Sequence, residues 1–73
     1  MSVTYSTGEL ARLAKVSVRT VQYYDKCGIL PPTSLSEGGR RIYTKSDLHV
    51  LKQICFLREL DFSIEQIKRL LAE

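Results

Sequence analysis

Apolar positions in the first third of the chain recur at helical spacing, and polar caps interrupt them. Ser6, Thr7, Gly8 and Glu9 form an S-x-x-E capping box, in which the Ser6 hydroxyl and the Glu9 carboxylate each satisfy an orphan backbone N–H. A helix starts there, with Leu10, Leu13 and Ala14 on one face. The pattern breaks at Lys15-Val16, and Ser17 caps a second helix. Two short helices joined so tightly form a helix-turn-helix unit, and the second must leave one face free. At about 100° per residue, Val18, Val21 and Tyr24 point one way, while Arg19, Gln22, Tyr23 and Lys26 sit on the opposite side. Cys27-Gly28 closes this helix with a residue suited to a left-handed cap, and Pro31-Pro32 prevents its resumption.

The middle segment, TSLSEGGRRIYT, has Gly38-Gly39 at its centre, a pair that supplies the positive φ angles of a hairpin turn. Leu35 before the turn and Ile42 after it are expected to pair as two short strands, with Glu37, Arg40 and Arg41 carried into solvent at the tip. Thr44 to Asp47 repeats the cap logic and opens a longer helix through Leu60. Ser63 to Gln66 caps a last helix, on which Ile64, Ile67, Leu70 and Leu71 line one side; Leu60-Asp61-Phe62 is the joint. The fold class is therefore mostly α: a winged helix-turn-helix of two helices (about 6–27), a short β-hairpin wing (about 33–43) and a second helix pair (about 44–73). The closing KRLLAE stops in mid-pattern with no cap, from which the natural chain is expected to continue.

At 73 residues this is one small domain with a modest core. Hydrophobic residues make up 44% and charged residues 26%, as in an ordinary globular protein. The formal charge of +3 is a mild pull toward polyanions. No apolar run approaches the roughly 20 residues that span a bilayer, and MSVTYSTGEL lacks a signal-peptide pattern, so a cytoplasmic location is expected. Cys27 and Cys55 lie far apart and His49 is the sole histidine, so neither a metal site nor a cofactor is expected, and Cys55 reads as a core residue. Catalysis has no support either, because no nucleophile has a histidine base near it and no glycine-rich phosphate loop is present.

The free face of the second helix carries more information. Arginine reads guanine, glutamine reads adenine, and tyrosine and lysine reach phosphate oxygens, so Arg19, Gln22, Tyr23 and Lys26 suit a helix lying in the major groove. A plain solvated face is the competing reading. The arginines of the neighbouring hairpin decide against it, since Arg40 and Arg41 beside such a helix would flank it with phosphate or minor-groove contacts.

The runs YSTGELARLAKVSVRTVQYYDKCGILPP and EGGRRIYTKSDLHVLKQICFLRELDFSIEQIKRLL resemble, in order and spacing, the N-terminal DNA-binding domain of MerR-family transcriptional regulators. The resemblance implies a domain that binds promoter DNA as a dimer and distorts it so that RNA polymerase can engage an overlong spacer. It implies groove-facing roles for Arg19 and Gln22, phosphate-holding roles for Tyr23 and Tyr24, a wing contact for Arg41, a backbone contact for Arg58 and a wing-buttressing role for Tyr43. Thr20, Lys26 and Arg40 complete the candidate DNA-binding set. Tyr24 then has two duties, its ring packed inward and its hydroxyl reaching a phosphate. Gln22 departs from the arginine common in the family, which shifts the expected base preference toward adenine. The family's dimerisation helix and effector domain have no counterpart here, so this chain is expected to be monomeric or weakly self-associating, with homodimers formed by the full-length protein. Two other readings are an excisionase-like architectural DNA-binding protein and a helical protein-interaction module using Val50, Phe56 and Leu57.

Overall fold

The computed structural model describes residues 3–72. Its elements are β1 (Thr4–Tyr5), α1 (Thr7–Ala14), α2 (Val18–Lys26), β2 (Ser34–Leu35), β3 (Arg41–Thr44), α3 (Lys45–Glu59) and α4 (Ile64–Ala72). The helices begin where their caps require. Ser6 and Glu9 exchange reciprocal bonds of 3.1 and 2.8 Å, Thr44 and Asp47 do the same at 3.4 and 2.8 Å, and Ser63 and Gln66 at 3.1 and 2.8 Å. Ser17 caps α2 through the Thr20 N–H at 3.1 Å.

Three helices end alike, and only one uses glycine. After α2, Gly28 (φ 77) donates to the Asp25 carbonyl and Ile29 to that of Tyr24, the paired bonds of a Schellman ending. Lys15 (φ 60) closes α1 and Asp61 (φ 66) closes α3 with the same two bonds. The apolar residue after each left-handed position folds back: Val16, Ile29 and Phe62 all pack on the core. Each turn therefore fixes the angle at which the next element leaves.

The hairpin between β2 and β3 differs from expectation in register. Ser34 faces Ile42 and Leu35 faces Arg41, so Leu35 and Ile42 are not partners. Gly39 alone takes a positive φ (78), donating to the Ser36 carbonyl while the Ser36 N–H reaches Arg40, a type I turn closed by a glycine bulge. A third strand was not expected. β1 pairs antiparallel with β3, Tyr5 opposite Tyr43, giving sheet order β1-β3-β2; two residues are too few to register as an alternation.

The core joins all the helices and the central strand: Leu10, Ala11, Val21, Tyr24, Ile29, Leu30, Tyr43, Leu51, Ile54 and Ile67. Ala11 is buried where Leu13 was expected, and its small side chain lets α1 and α2 approach closely. Leu13 (48%), Val18 (42%) and Leu70 (45%) are exposed instead. Two polar ties join the halves. Thr33 donates to Asp47 Oδ2 at 2.5 Å, linking the wing's start to α3, and Lys68 Nζ donates to the Cys27 carbonyl at 3.3 Å, placing a cation at the C-terminal end of α2.

Tyr43 is fully buried and its hydroxyl has no hydrogen-bond partner. Burial pushes its pKa up and the Asp25 carboxylate adds to this, against smaller opposing effects from Arg41 and Thr7. An unpaired buried hydroxyl is costly, so Tyr43→Phe is expected to stabilise the domain by about 1 kcal/mol. Thermal melting checks this. The tyrosine's raised pKa contributes stability present in full below its usual value of about 10 and lost as pH rises through the folded value, so the phenylalanine variant should also resist alkaline unfolding better.

Candidate nucleic-acid interface

The face of α2 turned away from the core is built as its sequence requires. With Val21 and Tyr24 fixed inward, Arg19, Gln22, Tyr23 and Lys26 are left exposed, Tyr23 at 53%. Thr20 is half-buried, and its hydroxyl is bonded to that of Ser17 at 2.9 Å, which commits it to the helix cap. The rings of Tyr23 and Tyr24 tilt against each other with centroids 5.9 Å apart. Both phenols have raised pKa values, Tyr23 chiefly through its bond to Cys27 and Tyr24 chiefly through burial. At neutral pH both are therefore protonated donors. Tyr24 is only 7% exposed, so its ring belongs to the core and its phenolic edge alone is turned toward this face.

Two grooves border α2. On one side a depression of about 360 Å³ is lined by Ser17, Arg19, Thr20, Tyr23, Tyr24 and Arg58. Arg58 Nη1 donates to the Phe62 carbonyl at 3.0 Å, which holds the guanidinium beside the tyrosines. On the other side a larger groove of about 630 Å³ lies between the first turn of α1, the outer face of α2 and the wing, with Gln22, Lys26, Arg40 and Arg41 among its residues. A helix flanked on both sides by cations and hydroxyl donors can seat an oxyanion on either side of itself. The two phosphate walls of a groove meet that description.

Three features depart from the sequence reading. Arg41 is not a free side chain at the wing tip; it opens β3, and its Nε bonds the Asp25 carboxylate of α2. Tyr43, grouped with the contact residues, is fully buried, which leaves it the buttressing role and removes it from direct contact. Ser6, Thr7 and Gly8 line the larger groove although nothing singled them out, because only the fold brings the start of α1 beside the wing. Asp25 was likewise missed. A lone acid between Tyr24 and Lys26 was visible, but its partner lies 16 residues away.

The interaction-module surface is narrower than expected. Val50 and Leu57 are half-buried against the core, and only Phe56, at 60%, is open, beside a shallow groove of about 510 Å³ that also touches Leu70 and Leu71. Among the described residues no group of three or more His, Cys, Asp or Glu side chains could hold a metal ion, and no helix is long and apolar enough to cross a membrane.

The family model described as MerR HTH family regulatory protein matches residues 5–73. The chain belongs to the MerR family. It is 46% identical over 68 residues to the HTH-type transcriptional regulator ZntR of Escherichia coli K12, covering 93% of this chain and 48% of that protein. Its structure is similar to a MerR-family regulator from Bacillus cereus at a TM-score of 0.91, with 39% identity over 97% of this chain and 53% of the other. HiNmlR, a MerR family regulator lacking the sensor domain and solved bound to promoter DNA, matches at a TM-score of 0.84 with 35% identity, over 93% of this chain and 54% of that one. The chain thus spans about half the length of each of these MerR-family proteins.

Proposed function

We propose that this chain binds double-stranded promoter DNA sequence-specifically as the promoter-recognition domain of a MerR-like transcriptional regulator. α2 enters the major groove with Arg19 and Gln22 toward the base edges. Tyr23, the edge of Tyr24 and Arg58 hold one phosphate wall, while Lys26, Arg40 and Arg41 hold the other. The observation that carries this reading is the free polar face of α2 between two cationic grooves, in a fold shared with a relative solved on promoter DNA. The protein acts in the cytoplasm, without cofactor or catalysis, and its full-length form is a homodimer that affects RNA polymerase through the distorted promoter. The MerR family match favours this over an excisionase-like role.

Selection of binding sites from a randomised duplex pool tests the readout. The chain should enrich a site with adenine at the base pair facing Gln22, and Gln22→Arg should move that preference to guanine. Identical selected sites for the two proteins would remove Gln22 from base contact.

A further inference from the structure

The Asp25–Arg41 ion pair is the only salt bridge among the described residues, and it joins the two elements that face the proposed DNA. Asp25 is poorly placed for its own helix, because a carboxylate in the last turn opposes the dipole. For a polyanion ligand it is also the wrong sign, standing in the larger groove among Lys26, Arg40 and Arg41. Neither helix stability nor attraction to DNA accounts for it. What it does touch is Arg41 Nε, across the gap between α2 and β3. The Asp25 side chain is 14% exposed and that of Arg41 51%, so the carboxylate is largely covered while half of the arginine faces outward. A guanidinium has donors on several edges in a rigid plane, so one edge can hold a carboxylate while another presents to a phosphate.

Resting on the DNA reading above, we propose that Asp25 is a positioning residue of the interface. It makes no contact with DNA itself. It fixes Arg41 by its Nε edge, so that the outer edge is presented to a phosphate and the wing is locked to the recognition helix as one body. The wing does not need this tie to fold, since β3 is paired on both sides and anchored by the buried Tyr43.

The role and simple electrostatics predict opposite signs. Removing a negative charge from a DNA-binding groove should tighten binding if Asp25 only repels phosphate. If Asp25 positions Arg41, Asp25→Asn should weaken binding to a mixed-sequence duplex about threefold to tenfold, a coupling typical of residues in direct contact. In an Arg41→Ala background the same change should leave affinity unaltered or raise it, because only the repulsion remains. Arg41→Lys should lose affinity much as Asp25→Asn does, since an ammonium has no planar fork to share. Melting temperatures and the Arg41 Nε–H resonance, which should be shifted in the unaltered chain and lose that shift in Asp25→Asn, establish that the variants are folded and the tie broken. Tighter binding by Asp25→Asn in both backgrounds, or a resonance that does not respond, overturns the role while leaving the DNA reading intact. Failure of the unaltered chain to bind DNA at low salt overturns both.

Discussion

Alanine at Leu51 is expected to leave much of the domain unfolded at 37 °C. Leu51 is fully buried near the middle of α3, in the one cluster that joins the helix-turn-helix, the wing strand and the second helix pair. A buried leucine cut to alanine costs about 2–5 kcal/mol through lost transfer energy and the cavity left behind. A chain of 73 residues has a total stability of roughly 4–11 kcal/mol at about 0.05–0.15 kcal/mol per residue. Each kcal/mol moves the midpoint by about 4–8 °C in a domain of this size, so the expected fall is roughly 10–30 °C. Circular dichroism melting measures it. A fall under a few degrees would mean that α3 is not the shared wall of the core.

The second large effect concerns binding. Arg19 and Arg58 line the same groove from different helices, beside the two tyrosines. Replacing both by alanine is expected to lower DNA affinity roughly 30- to 100-fold at low salt, since each partly hydrated charge-assisted bond contributes about 1–1.5 kcal/mol. The slope of log affinity against log salt should fall by about two units, one for each lost phosphate contact. Stability should change little, because Arg19 is exposed and Arg58 gives up one surface bond to the Phe62 carbonyl. Arg12→Ala serves as the control: Arg12 is exposed on α1 and lines neither groove flanking α2. If Arg12→Ala weakened binding as much as the pair does, the effect would be one of net charge and not of this groove.

Local signals in the sequence led to most of the fold. Capping boxes at Ser6, Thr44 and Ser63 mark helix starts because their chemistry is complete within four residues. Gly28 and Pro31-Pro32 mark the end of α2 for the same reason. The free face of α2 was legible because a nine-residue helix with Val21 and Tyr24 inward has little choice about its other side. Features that depend on distant partners were not. β1 exists only because β3 is there to pair with it. Asp25 and Arg41 meet only after the wing has folded beside α2, which moved Arg41 from an imagined free tip to a strand start. Leu13, Val18 and Leu70 were assigned to apolar stripes, yet helices of eight or nine residues crossing one another bury narrow strips. The positive φ of Lys15 and Asp61 had no glycine to announce it.

The most direct test of DNA binding is fluorescence anisotropy of the chain on a mixed-sequence duplex across a salt series. Affinity should fall steeply and linearly on a log–log plot as salt rises, with a slope of several units, because Arg19, Lys26, Arg40, Arg41 and Arg58 displace counterions from phosphates. Absence of binding at low salt, or binding indifferent to salt, would contradict the account and turn attention to the groove beside Phe56.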